Sequence, residues 1–95
     1  MQLSVITSIL HEMKPFLMEK YGVSSLGIFG SAARGDFREE SDVDIIVDFK
    51  KPIGIEFIDL AEEIENRIHY KVDLVSRNGI KERYLQVIEP EIVYV

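Results

Sequence analysis

Two short stretches of the sequence carry residue types that suit phosphate and metal chemistry. The first is Gly30-Ser31, at the end of one apolar run, and the second is Asp42-Val43-Asp44, at the head of another. Glycine lets a backbone approach a ligand closely, and free N–H groups at the start of a helix attract anions. Carboxylates two residues apart on a strand share a face, where their repulsion favours a bound cation. Together the stretches predict a site for phosphates and divalent metal ions.

Two further charged residues are candidates for the same site. Asp73 interrupts a third apolar run. Because an unpaired aspartate in a buried strand is costly, Asp73 is either a metal ligand or an outward-facing residue on the side shared with Lys71. Arg34 lies about one helical turn after the glycine-serine pair, from which it could reach a phosphate, pair with Asp36 or remain a surface arginine.

Each motif taken alone has an ordinary structural interpretation. Gly30-Ser31 can be a strand-to-helix turn in which Ser31 caps the helix. Asp42 and Asp44 can form the solvated entrance to a strand. The chemical interpretation therefore depends on whether the fold brings the motifs together.

The apolar periodicity predicts helices that alternate with strands, as in an α/β or α+β sandwich. A helix from Leu3 to Tyr21, kinked or divided at Pro15, precedes the first strand. The remaining predicted elements are strands over 25–29, 43–49 and 71–76, a short helix capped by Ser31, helices over 53–68 and 80–89, and an extended segment over 92–94.

Composition limits the function classes. The 95 residues predict a single domain over 1–95, and without cysteine neither disulfides nor thiolate metal sites can form. With no long apolar run and no signal peptide pattern, we expect a cytoplasmic protein without a membrane partner. The net charge of −6 disfavours direct binding to a long nucleic acid, whereas a nucleotide that carries its own metal ion suits an acidic site.

Taken together, these motifs resemble a known superfamily. Phe29-Gly-Ser-Ala-Ala-Arg-Gly-Asp36, Ser41-Asp-Val-Asp-Ile45 and the later Asp73 are similar to the nucleotidyltransferases that include DNA polymerase β, and in particular to the minimal nucleotidyltransferases, or MNT proteins. The similarity extends over nearly the whole chain. It implies a mixed sheet of about three to four strands flanked by helices.

The resemblance also implies roles for individual residues. Gly30 and Ser31 would hold the triphosphate of ATP, Asp42 and Asp44 would bind two Mg²⁺ ions, and Asp73 would bind the catalytic ion and help deprotonate the attacking hydroxyl. Ala32 departs from the family pattern, in which many members carry a larger or basic residue. That departure leaves the phosphate contacts to backbone groups and Arg34.

The resemblance further implies a partner. Many MNT proteins are antitoxins paired with HEPN-domain RNase toxins, and family members transfer AMP from ATP to a tyrosine of the toxin and release pyrophosphate. Few residues follow the third strand, so we expect another molecule to supply the acceptor. Two alternatives stay open: a non-catalytic antitoxin that occludes its partner, and a small-molecule nucleotidyltransferase similar to aminoglycoside-modifying enzymes.

Overall fold

Four strands form one mixed sheet with helices on both faces. The computed structural model describes residues 2–95. In chain order the elements are helix α1 (Leu3–Tyr21), strand β1 (Val23–Phe29), helix α2 (Gly30–Arg34), strand β2 (Val43–Phe49), helix α3 (Glu56–Ile68), strand β3 (Val72–Ser76), helix α4 (Glu82–Ile88) and strand β4 (Val93–Tyr94). Short 3-10 turns cover Arg77–Gly79 and Glu89–Glu91 on either side of α4.

The sheet combines parallel and antiparallel pairing. Across it the strands follow the order β3-β2-β1-β4. Strand β1 is antiparallel to β2 and to β4, whereas β2 and β3 are parallel. Parallel neighbours need a crossover connection, which α3 provides here. The predicted mixed sheet flanked by helices is confirmed, and the segment predicted to be an extended tail contributes its fourth strand.

Strand β2 is buried on both faces. Ile45 and Val47 pack with residues of α1 and α3 in the main core, whereas Ile46 packs with Phe29 and Ile88 on the other face. Burial on both faces explains why β2 is a continuous apolar run rather than an alternating one. Helix α4 supplies Ile88 and therefore covers the face of the sheet opposite α1 and α3.

Helix α1 is continuous despite Pro15. It ends at Tyr21, and Gly22 follows in the left-handed conformation with φ 72° and donates its N–H to the Met18 carbonyl over 3.0 Å. Of the two effects predicted for Pro15, division of the helix is wrong, and a kink stays a prediction. Buried side chains on both sides of the proline, Leu10 and Leu17 among them, pack into the core and offset the lost hydrogen bond.

Other boundaries differ from prediction by a few residues. Helix α3 begins at Glu56, so Ile53 precedes it, and α4 is shorter at both ends than the predicted 80–89. The Phe57 N–H donates a hydrogen bond to the Gly54 carbonyl over 3.1 Å, which closes a turn at the start of α3. None of the helices within residues 2–95 combines the length and apolarity needed to span a membrane.

Candidate active site

Two aspartates lie side by side on neighbouring strands. Strands β2 and β3 run parallel, and their register pairs Asp44 with Asp73. Paired positions on adjacent strands place their side chains on the same face of the sheet. Asp44 is partly buried, whereas Asp73 is exposed to solvent. The sheet thus presents two carboxylates together, one of them partly withdrawn from water.

The pKa of the Asp44 carboxyl is raised by burial and by the neighbouring carboxylates. Burial is the largest effect that raises its pKa, followed by repulsion from and hydrogen bonding to Asp73 and by the charge of Asp42. The opposing charge of Arg34 lowers the pKa, and the net result is a pKa of about 6. The ionised pair is therefore unfavourable without a counter-charge, and a divalent cation would supply one.

Gly30 brings the backbone into direct contact with Asp44. The antiparallel register of β1 and β2 pairs Phe29 with Asp44, so Gly30 is the next residue along the chain. Its φ is +72°, and a Cβ at this position would lie 2.0 Å from Asp44 Oδ2. Glycine is favoured here, because the torsion strains other residues and a Cβ would force the Asp44 carboxylate to shift.

Ser31 is placed differently from the prediction. Helix α2 begins at Gly30, and Phe29 is its N-cap residue, without a side-chain capping bond. The predicted helix cap by Ser31 is therefore wrong, since the helix starts one residue before it. Ser31 instead lies in the first turn, partly buried, with its hydroxyl not committed to a helix cap.

A cavity of about 400 Å³ joins these residues to the C-terminal segment. Its polar wall consists of Gly30, Arg34, Asp44, Asp73 and Glu91. Its apolar wall consists of Phe29, Val75, Ile80, Tyr84, Val87 and Ile88. A cavity of this size is within the range of small-ligand sites, and its two walls suit a ligand with a charged part and an apolar part.

Arg34 lies at the polar wall but is already paired with acids. Its Nη1 is 3.4 Å from both Glu91 oxygens, and its Nε is 3.7 Å from Asp36 Oδ1. The predicted pairing with Asp36 is thus present. The arginine side chain is 51% exposed, so it can reorient toward a ligand.

Asp42 and Ser31 do not line the cavity. Asp42 lies just before β2 and is exposed, and its negative charge contributes to the raised pKa of Asp44. Across residues 2–95, no three histidine, cysteine, aspartate or glutamate side chains are grouped so that they could hold a metal ion. The metal-ligand role of Asp42 stays a prediction, and the pair that the structure brings together is Asp44 and Asp73.

Sequence reasoning missed two contributions to the cavity. Glu91 reaches it from the turn before β4, and Tyr84 forms part of the apolar wall although it is 57% exposed. Tyr84 and Val87 are three residues apart and share a face of α4, whereas Ile80 precedes that helix. No local signal reveals that Glu91 lies beside Gly30.

The Gly30 turn lies against Asp44, which is paired with Asp73 on the neighbouring strand, and this arrangement suits the binding of phosphates and a divalent cation. Comparison with known proteins agrees with that chemistry. A family model described as "Polymerase beta, Nucleotidyltransferase" matches residues 11–93. The chain therefore belongs to this family of nucleotidyltransferases. The resemblance found in the sequence and the expectation of a nucleotidyltransferase enzyme are both confirmed.

Individual relatives extend over nearly the whole chain. Protein adenylyltransferase MntA of Thermococcus cleftensis is 43% identical over 94 residues, which cover 98% of this chain and 95% of that protein. A solved structure provisionally described as a minimal nucleotidyltransferase has a TM-score of 0.82 at 29% identity, with 98% of this chain and 95% of that chain covered.

A more distant structural likeness shows the fold alone. It is a chain from the complex of a tri-AMPylated Shewanella oneidensis HEPN toxin with an MNT antitoxin, with a TM-score of 0.68 at 18% identity. The match covers 94% of this chain and 70% of that chain.

Proposed function

We propose that this protein is the antitoxin of a toxin–antitoxin pair and transfers AMP from ATP to a tyrosine of a HEPN RNase partner. The observation that carries the proposal is the carboxylate pair Asp44 and Asp73, which shares one cavity with the Gly30 turn. The adenylyltransferase name of the Thermococcus cleftensis relative and the AMPylated HEPN toxin in the distant complex support the choice of substrate and partner.

The transfer is a displacement at the α-phosphorus of ATP. The tyrosine oxygen forms a bond to that phosphorus, the bond to the bridging oxygen breaks, and pyrophosphate leaves. We assign the proton of the tyrosine hydroxyl to a carboxylate oxygen of Asp73, the more exposed member of the pair. The N–H of Gly30, the hydroxyl of Ser31 and the guanidinium of Arg34 would orient the phosphates, so that positioning supplies much of the rate enhancement.

The donor set fits Mg²⁺. This ion is usually bound by one or two carboxylates together with substrate phosphates and waters, so Asp44 and Asp73 would suffice beside a triphosphate. Burial and the neighbouring acids Asp73 and Asp42 raise the pKa of Asp44 despite the charge of Arg34, so a further positive charge beside its ionised form would be favourable. When bound, Mg²⁺ stabilises the charge that develops on the phosphate and activates the attacking oxygen. We further assign to Asp42 a share in holding a second ion, which would require the segment before β2 to turn toward the cavity.

The apolar wall favours a protein acceptor over a small molecule. Tyr84 is 57% exposed and Val87 is 72% exposed, and both line the cavity. Large apolar side chains exposed at the mouth of a site are the type of surface that a protein partner covers. A tyrosine of the partner can then reach Asp73 while its neighbours cover Tyr84 and Val87.

Modification would inactivate the toxin by charge and bulk. An added AMP carries a negative phosphodiester and an adenosine next to the position that RNA must occupy. Like charges close to a binding site repel an anionic substrate, in the same way as other charge-adding modifications. The acidic chain therefore does not need to bind RNA in order to neutralise the RNase.

The test is the intact mass of a HEPN RNase that forms a complex with this chain. The two proteins are co-expressed, purified and incubated with ATP and Mg²⁺. We expect a gain of whole AMP units with the wild type and none with the double variant Asp44→Asn, Asp73→Asn. Glu62→Gln, an exposed acid on α3 outside the cavity, is the matched control and should transfer normally.

Two outcomes would contradict the proposal. Undiminished transfer by the double variant would show that the pair is not the catalytic site. A tight complex with no gain of mass would favour the non-catalytic antitoxin that acts by occlusion. Peptide mapping of a modified partner decides whether the acceptor is a tyrosine.

A further inference from the structure

The carboxylate of Glu91 occupies groups that the proposed function assigns to the triphosphate. Its Oε1 accepts a hydrogen bond from the Gly30 N–H over 2.9 Å. Both of its oxygens lie 3.4 Å from Arg34 Nη1. A carboxylate held by a glycine N–H and a guanidinium uses the same donors that would bind a phosphate.

The fold places Glu91 there from the far end of the chain. Glu91 ends the 3-10 turn Glu89–Glu91, and β4 follows directly. Strand β4 is anchored by its pairing with β1, by the bond from the Val95 N–H to the Leu26 carbonyl over 2.9 Å, and by Lys14 Nζ on the Val95 carbonyl over 2.7 Å. The turn is thus held between fixed elements, which keeps the carboxylate at the cavity.

The position of Glu91 is electrostatically costly for an anionic ligand. The cavity already contains Asp44 and Asp73, so Glu91 adds a third carboxylate. The Gly30 N–H has one hydrogen, and the donors of Arg34 that face Glu91 are engaged as well. A triphosphate must therefore displace this carboxylate before it can use either group.

We infer that Glu91 is an internal competitor of the triphosphate and that it sets the affinity of this enzyme for ATP. The inference rests on the proposed function, because it takes Gly30 and Arg34 as phosphate-binding groups. When ATP binds, the Glu91 side chain leaves the Gly30 N–H. When ATP leaves, Glu91 returns and satisfies the two donors.

The size of the effect follows from the fraction of molecules in which Glu91 is displaced. The apparent Kd equals the intrinsic Kd divided by that fraction. If the carboxylate is in place in about nine molecules out of ten, its removal tightens ATP binding about tenfold. The effect falls on Kd and on KM, since Glu91 touches no reacting atom in this scheme.

The test compares Glu91→Ala with Glu89→Ala. Glu89 belongs to the same turn and carries the same charge, but it pairs with Arg77 over 3.2 Å and does not line the cavity. Binding of ATP with Mg²⁺, and of inorganic tripolyphosphate, is measured by calorimetry on the full chain. We expect both ligands to bind about tenfold more tightly to Glu91→Ala and with unchanged affinity to Glu89→Ala.

A second variant separates charge from shape and guards against misfolding. Glu91→Gln keeps an acceptor for the Gly30 N–H but loses the charge attraction to Arg34. We therefore expect its affinity for ATP to lie between that of the wild type and that of Glu91→Ala. The ordering of the three affinities supports competition. Equal affinities, or weaker binding by either Glu91 variant, would overturn it.

Failure of the inference is distinguishable from failure of the proposed function. If the wild type and Glu91→Gln bind ATP equally and AMP transfer is observed, the function stands and the competition is refuted. If neither the wild type nor any Glu91 variant binds ATP, the proposed function fails and the inference fails with it.

Discussion

Asp44 and Asp73 occupy paired positions on the parallel strands β2 and β3, and this pairing makes two carboxylates neighbours although 28 residues separate them in the sequence. Because burial and Asp73 together raise the pKa of Asp44 to about 6, the pair is a local source of instability in the metal-free protein. A cation bound there, as proposed, would relieve that instability and would also provide the positive charge that phosphoryl transfer needs.

The first prediction concerns stability against pH. In the unfolded chain Asp44 titrates near 3.8, and in the folded chain its pKa is about 6. Between these values the folded state holds a proton that the unfolded state lacks, so this residue's contribution to stability falls as pH rises from about 4 to about 6. Above about pH 6 the Asp44 carboxyl is ionised in both states, so its destabilising contribution to the free energy of unfolding no longer changes with pH.

The substitution Asp44→Asn removes the free-energy cost of the ionised Asp44 carboxyl in the folded state. Comparison with the wild type therefore separates this cost from the effects of other titrating groups. We expect the Tm of the metal-free variant to equal that of the wild type near pH 4 and to exceed it by about 4–8 °C near pH 7.5. This difference corresponds to about 1 kcal/mol after a discount for solvent screening. Thermal unfolding in EDTA measures it, and a difference that is largest at low pH would contradict the assignment.

The second prediction uses two glycines with the same backbone torsion. Gly30 and Gly22 both have φ +72°, but a Cβ at Gly30 would lie 2.0 Å from Asp44 Oδ2, whereas a Cβ at Gly22 meets nothing within 4 Å. Gly22→Ala therefore measures the cost of the torsion alone, which we expect to be about 1 kcal/mol or somewhat more.

Gly30→Ala adds the clash with Asp44 to the same torsional cost. We expect it to be the more destabilising of the two substitutions in urea unfolding and to abolish AMP transfer, while Gly22→Ala retains transfer. Equal losses of stability would show that Asp44 can move aside freely. Such a result would remove the argument that the Asp44 carboxylate disfavours a side chain at position 30.

Four of the six site residues predicted from the sequence line one cavity, but the sequence did not reveal how they are arranged. The strand β2 was predicted with its observed bounds, and the cavity contains the predicted Gly30, Arg34, Asp44 and Asp73. The proximity of Asp44 to Asp73 depends on the register between two strands joined by a helix. No local pattern encodes that register, because it is decided by packing on both faces of the sheet.

The C-terminal segment is a second region in which the local sequence does not predict a long-range contact. The sequence predicts an extended ending after Pro90, but pairing with β1 makes it a strand and delivers Glu91 to Gly30, 61 residues earlier in the chain. A glutamate in a polar turn carries no signal of its own. The pairing of β4 with β1 therefore produces the contact between Glu91 and Gly30, and this contact is the reason to treat Glu91 as a competitor of the phosphates.

The third prediction concerns ligand-linked stability. A ligand that binds only the folded state at a hundredfold excess over its Kd stabilises that state by about 2.7 kcal/mol, which raises the Tm of a domain of this size by about 10 °C or more. We expect such a rise with ATP and Mg²⁺ together, and a much smaller one with ATP in EDTA.

The linked variant is Asp73→Asn, which leaves one carboxylate to hold the ion. We expect it to lose most of the Tm increase produced by ATP and Mg²⁺, whereas Glu62→Gln retains it. If Asp73→Asn responds like the wild type, Asp73 is not part of the site that binds the metal and nucleotide together.

The fourth prediction separates the two roles of Arg34. Its ion pairs with Asp36 and Glu91 involve exposed or partly exposed side chains, so Arg34→Ala should change the Tm little. A charge-assisted hydrogen bond contributes about 1.5–3 kcal/mol, so loss of a phosphate contact should weaken ATP binding about tenfold or more. Arg38→Ala, an exposed arginine outside the cavity, is the control and should bind normally.

The double variant Arg34→Ala, Glu91→Ala then connects this prediction with competition by Glu91. In the wild type, Arg34 must give up Glu91 before it gains a phosphate, which reduces its net contribution to ATP binding. Without Glu91 the guanidinium is available from the start, so Arg34→Ala should cost more affinity in the Glu91→Ala background than in the wild type. Equal costs in the two backgrounds would mean that Arg34 and Glu91 act independently, since non-additivity in a double-mutant cycle is the mark of coupled side chains.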